Sequence, residues 1–204
     1  IYVLTITDKL SGTYNSAIQG KMLFEEEHPG KNVHVFNSLA TSGLESLIAE
    51  KIKELGDNGA DFETIVSTVE DFIVNHTALY FCLETFDVLN QNGRLYAMAA
   101  TILKKIKLKL ICERTQEGSV KLAGQELSSN RALIKMASII AGEVKDKNPS
   151  EQRIILSHVC CEDKAKIVAD KLKDVGFGSI EIVKASGLNS TYAANGGLLV
   201  SFTK

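Results

Sequence analysis

The order of the apolar patterns constrains this chain most. "IYVLTI" at 1–6 reads as a buried strand. A helical pattern follows, with Ser11 as its N-cap and Tyr14, Ala17, Ile18 and Met22 as its inner face. "HPGK" is a turn and "NVHVFN" at 32–37 a second strand. Leu44, Leu47, Ile48, Ile52 and Leu55 then recur at helical spacing up to "GDNGA", and Phe62, Ile65, Val66, Val69, Phe72 and Ile73 mark another helix. Strands that alternate with helices through short connections pair in parallel.

Beyond residue 77 the rhythm changes. "ALYFCLE" is a strand, and "TFDVLNQNGRLYAMAATILKK" reads as two short helices broken at Asn92-Gly93. "KLKLICE" and "SVKLAG" alternate apolar and polar residues around "RTQEG", which predicts an antiparallel hairpin. A long helix from about Asn130 to Lys147 is stopped by Asn148-Pro149. "RIILSHV", a helix through Ala165, Val168, Ala169 and Leu172, and "SIEIVKA" form one more strand–helix–strand unit, and "GGLLVSF" is a last strand. The expectation is α/β: residues 1–77 as part of a parallel-sheet layer, and residues 78–204 as a self-contained α+β domain. A chain that opens inside a strand further suggests a fragment lacking an N-terminal portion.

Composition narrows the function. With 204 residues, 45% hydrophobic and 24% charged, the chain is an ordinary globular one, and its net charge of −2 gives nucleic-acid binding no support. Lys104, Lys105, Lys107 and Lys109 form a basic run that reads as the solvated entrance to a strand. No apolar stretch reaches membrane-spanning length, and no signal peptide is visible. Cys82, Cys112, Cys160 and Cys161 lack C-x-x-C spacing and read as reduced thiols of a cytoplasmic protein. There is no phosphate-binding GxxxxGK[ST] loop, no HExxH and no GxSxG. "HVCC" gathers three metal-ligand types where a tetrahedral site needs four. Neither a metal nor a cofactor is expected.

Three stretches carry chemistry. "TDKLSGTYNSA" at 7–17 places Ser11, Gly12 and Thr13 between a strand and a helix. A helix start exposes unpaired N–H groups and about half a positive charge, which suits an anion. The same residues serve equally well as a plain cap. "NGRLYA" puts Arg94 after a turn, where it would pair with a carboxylate or simply face solvent. "NSTYAANGGL" clusters Thr191 and Tyr192 ahead of Gly196-Gly197, as a loop with or without a ligand.

These blocks together resemble the DegV family of fatty-acid-binding proteins. "LSGTYNSA", "VFNSLATSGLESLIAEKIKELGDNGADFETIVSTVEDF", "LYFCLETFDVLNQNGRLYAMAATILKKIKLKLICERTQEGSVKLAG", "ILSHVCCEDKAKIVADKL" and "NGGLLVSF" follow the family's order along the whole chain. The resemblance implies a two-domain DegV-like (EDD) fold: a partial parallel-sheet α/β domain, then an α+β domain with a six-stranded, mainly antiparallel sheet. It implies a bacterial, non-enzymatic carrier that binds a long-chain fatty acid such as palmitate or stearate between its domains. The carboxylate would meet a hydroxyl cluster, and a fatty acid kinase would receive the ligand for acyl-phosphate formation. Carried onto this chain, Ser11, Gly12 and Thr13 hold the head group and Arg94 stands at the interface. Near the C-terminus the family has His-x-Gly-x-Gly. Here Ala193 stands at the histidine's place, Gly197 keeps its own, and Thr191 or Tyr192 would supply the missing donor. Leu83, Phe86, Leu89, Leu95, Met98 and Ile102 are expected in the tunnel. A sixteen-carbon tail supplies roughly 12 kcal/mol gross, at about 0.8 kcal/mol per methylene, so the tail sets affinity and the hydroxyls set orientation. Other readings are a phosphoryl-transfer enzyme related to dihydroxyacetone kinase, and a carrier or sensor of another apolar carboxylate.

Overall fold

Alternating patterns and short connectors produce two sheets in the computed structural model, which describes residues 1–95 and 108–204. β1 (Tyr2–Thr5) and β2 (His34–Asn37) pair in parallel, with Tyr2 opposite His34. The crossover between them is α1 (Thr13–Glu27). Its N-cap is Gly12 rather than the expected Ser11, whose Oγ instead accepts from the Thr13 backbone N–H at 3.3 Å and from Thr13 Oγ1 at 3.2 Å. No residue of α1 is buried, and Met22, assigned to the inner face by its spacing, is 59% exposed.

α2 (Gly43–Asp57) and α3 (Phe62–Asn75) are strongly amphipathic, and Asp61 caps α3 by accepting the Thr64 N–H at 2.8 Å. Their buried faces, including Leu44, Ile48, Ile65 and Val69, pack against Phe36 of β2 and also against Leu79 and Phe81 of the second sheet. One apolar cluster therefore joins the two layers.

The second sheet runs β5-β4-β3-β8-β6-β7. Its strands are β3 (Thr77–Cys82), β4 (Lys109–Arg114), β5 (Val120–Glu126), β6 (Arg153–His158), β7 (Ser179–Lys184) and β8 (Leu198–Thr203). All neighbours are antiparallel except β6 and β7. Near-continuous apolar runs belong where both faces are covered, and β3 and β8 accordingly take the centre. Leu79 and Phe81 face α2 and α3. Ala78, Tyr80 and Cys82 face the opposite cluster, built on α5 (Ser129–Glu143) and α6 (Glu162–Val175). α5 ends before the expected Lys147, the chain leaving helical geometry at Val144.

Beyond β3 comes the short α4 (Asp87–Gln91). The second helix expected after Asn92-Gly93 lies outside the described residues, as do Lys104, Lys105 and Lys107. Lys109 is no solvated edge residue: with Lys164 and Ser129 it binds the Glu84 carboxylate, stapling the end of β3 to β4, α5 and α6. Burial pushes the Glu84 carboxyl up, but these three donors outweigh it and hold the group at about 2. "GLNSTYA" is a helix, α7 (Gly187–Ala193), where the residues suggested a loop. Cys82, Cys112 and Cys161 are buried and Cys160 is exposed, and all four are free thiols. No described helix is long and apolar enough to cross a membrane.

Candidate functional site

Between the two layers lies a cavity of about 140 Å³. Its floor is apolar: the central strands give Leu79 and Phe81 of β3, Leu83 just beyond it and Leu199 of β8, and α4 adds Leu89. Alternation along β3 puts Leu79, Phe81 and Leu83 on one face, so the floor follows directly from the strand period.

The polar groups come from separate segments. After β1 the chain folds back over Thr7, whose carbonyl accepts from Leu10 N at 3.1 Å and Ser11 N at 3.2 Å. Thr7 itself is 1% exposed. Its N–H donates to Ala40 O at 2.9 Å and its hydroxyl to Gly118 O at 3.1 Å, pinning the tip of the β4–β5 hairpin onto this loop. Ser11 is thereby held at the cavity wall.

Arg94 reaches the same wall from the other side. Gly93, at φ 70°, turns the chain out of α4, and Arg94 N donates to Leu89 O at 2.8 Å. The guanidinium crosses to the Ser11 loop, Nε donating to Leu10 O at 3.2 Å and Nη1 to Asn92 O. α7 supplies Asn189, Tyr192 and Ala193, and Thr41 Oγ1 donates to Asn189 Oδ1 at 3.0 Å to tie α7 to the first layer.

Of the residues singled out by sequence, Ser11, Arg94 and Tyr192 meet at the cavity, together with Ala193. Gly12 and Thr13 are exposed on the first turn of α1, outside the lining. Thr191 is exposed, and its hydroxyl donates to Gly187 O at 3.0 Å within α7. Gly197 also lies outside the lining. A Cβ there would overlap Ala193 O and lie 2.9 Å from Ala193 Cβ, so glycine is what lets α7 end tightly against β8. Leu83 and Leu89 line the cavity, whereas Phe86 and Leu95 are buried without lining it. Met98 and Ile102 lie outside the described residues.

The sequence reading missed Arg114, at the end of β4. It lines the cavity, and burial lowers its guanidinium to about 10, which leaves it charged at neutral pH. Its place at the edge of "RTQEG" made it look like an ordinary turn residue. Two arginines and no acidic residue therefore stand among the described lining. A mainly apolar lining with two arginines and no acid suits a ligand that joins an apolar body to a negative group. Among the described residues no group of histidine, cysteine, aspartate or glutamate is placed to hold a metal ion.

Comparison with known proteins agrees with this fold. The family model described as "Uncharacterised protein, DegV family" matches residues 1–203. A DegV domain-containing protein of Streptococcus gordonii is 32% identical over 206 residues, covering 99% of this chain and 70% of that protein. The crystal structure of a DegV family protein from Ruminococcus gnavus with vaccenic acid superposes with a TM-score of 0.89 at 38% identity, covering 98% of this chain and 71% of that one. The Streptococcus pneumoniae Fatty Acid Kinase (Fak) B3 protein loaded with linoleic acid superposes with a TM-score of 0.87 at 28% identity, covering 100% and 71%. With a family match along nearly its full length and the matching mixed fold, this chain belongs to the DegV family.

Proposed function

We propose that this protein is a carrier that binds one long-chain fatty acid between an α/β domain (residues 1–77) and an α+β domain (residues 78–204). The observation that carries this reading is the apolar cavity whose described lining holds two arginines and no acid. Vaccenic acid in the R. gnavus relative and linoleic acid in the S. pneumoniae one supply the ligand class. The carboxylate meets Ser11, the Arg94 guanidinium and the Tyr192 hydroxyl, and the tail runs over Leu79, Phe81 and Leu83. Gly12 and Thr13 shape the turn that presents Ser11, while Thr191 and Gly197 support α7 from behind. A partner fatty acid kinase then acts on the presented carboxylate, as the Fak B3 likeness suggests. The carrier itself needs no cofactor.

The test is direct. Protein purified from bacteria, denatured and extracted with solvent, is expected to release a long-chain fatty acid detectable by mass spectrometry, and repeated lipid-free preparations would count against the reading. Ser11→Ala is expected to weaken fatty-acid binding about tenfold, the size of one hydrogen bond to a charged group, without moving the thermal transition. Unchanged affinity would remove Ser11 from the site.

A further inference from the structure

A second, polar cleft of about 460 Å³ lies where the first turn of α2 meets β6 and β7. Its described lining shares only Asn189 with the apolar cavity. Gly43 makes the junction possible: a Cβ there would lie 2.7 Å from Ile155 Cγ2, so α2 begins hard against β6. Two serines face the cleft with nothing to bond. Ser157 is 3% exposed and Ser42 8%, and neither hydroxyl has a hydrogen-bond partner among the described residues. Both line the cleft, so the little surface each keeps opens onto it. Buried hydroxyls are normally matched. Ser42 also holds φ 64° and ψ −136°, where glycine is at ease and serine is strained, and its side chain does not cap α2.

Charge decides what these hydroxyls can receive. Glu45, Glu50 and Glu181 line the cleft. Arg153 takes two of them, Nε donating to Glu50 Oε2 at 2.8 Å and Nη2 to Glu50 Oε1 and Glu181 Oε2 at 2.9 Å. Glu45 stands in the first turn of α2 with no cation beside it among the described residues. Burial pushes its carboxyl up, and the Ser42 backbone N–H offsets this only in part. Lys184 does not answer it. Val183 lies opposite Ser157, so alternation along β7 turns the Lys184 side chain to the other face, toward Glu162. The cleft therefore keeps one unmatched carboxylate beside two unmatched hydroxyls.

We propose that this cleft is a second ligand site, separate from the fatty-acid cavity, and that it takes a small primary amine. The ammonium donates to the Glu45 carboxylate and to the Ser42 and Ser157 hydroxyls, three acceptors for its three N–H groups. Ile155 and Val183 back its carbon atoms. A quaternary ammonium carries the same charge but has no N–H to give, and no aromatic side chain in the described lining offers it a ring face instead. A metal ion is a poorer match, because among the described residues no group of histidine, cysteine, aspartate or glutamate is placed to hold one.

Protonated ethanolamine and choline, which differ in three N-methyl groups, make the probes, titrated into the full chain by calorimetry. Ethanolamine is expected to bind, and choline about tenfold more weakly or worse, the loss of a charge-assisted hydrogen bond. Equal affinities, or no ethanolamine binding up to about 10 mM, would overturn the site, and neither outcome needs a variant. Glu45→Gln is expected to weaken ethanolamine binding about tenfold. Ser42→Gly separates ligand binding from architecture. It is expected to melt no lower than the unaltered protein, because glycine relieves the strained backbone, and yet to bind ethanolamine about tenfold more weakly. A folded variant of either kind that bound ethanolamine as before would overturn the proposal.

Discussion

Val120→Trp is expected to reduce fatty-acid affinity by about two orders of magnitude, the largest binding effect of any single change considered. Val120 opens β5 directly opposite Arg114, and both line the cavity. Opposed residues on antiparallel strands project from the same face, so the indole would enter the slot. A ring there excludes part of the acyl chain. At about 0.8 kcal/mol per methylene, four displaced groups cost about 3 kcal/mol. The fold has reason to tolerate the change, because the added ring fills a void and Val120 is only half-buried. Titration with oleic acid gives the affinity, and circular dichroism melting shows whether the variant is folded. Undiminished affinity in a folded variant would separate this cavity from lipid binding.

The outcome of the sequence reading depended on whether each signal was local. β1 and β2 were legible as a parallel pair because their connector carries helical spacing, and the β4–β5 hairpin was legible from its alternation and turn residues. The end of the chain was legible as a strand in "GGLLVSF". Its placement between β3 and β6 follows from burial on both faces, which no local pattern specifies. α7 was not legible. Asn189, Ser190 and Thr191 favour turns, and the helix is held by Tyr192 and Ala193 packing into the apolar cluster. Ser11 has every property of an N-cap, yet its hydroxyl is turned to Thr13 and Gly12 takes the cap. At the site, Ser11, Arg94 and Tyr192 could be singled out because each sits beside a turn with glycine or clustered hydroxyls. Arg114 could not: a cation at a strand end looks the same in sequence whether it meets solvent or a cavity.

Gly118→Ala is expected to destabilise the protein by about 3 kcal/mol, and Gly59→Ala by about 1 kcal/mol, although both glycines occupy the left-handed region. Their φ values are +81° and +77°, so the backbone penalty is shared. Their surroundings differ. A Cβ at Gly59 meets nothing within 4 Å, whereas one at Gly118 overlaps Thr7 Oγ1 and lies 3.0 Å from Leu39 Cα. Thr7 cannot yield without breaking its hydroxyl's bond to Gly118 O, and its neighbour Leu39 is itself at φ 53°. For a chain of this size the two costs correspond to falls in melting temperature of about 6–12 °C and about 2–4 °C. Similar falls for both variants would show that the hairpin tip is free to move off the first layer. A larger fall at Gly118 would show that the tip is clamped there. With the carboxylate site proposed at Ser11, the clamp also bears on binding, because Thr7 holds the loop that carries Ser11: Gly118→Ala is expected to speed fatty-acid release and Gly59→Ala to leave it unchanged.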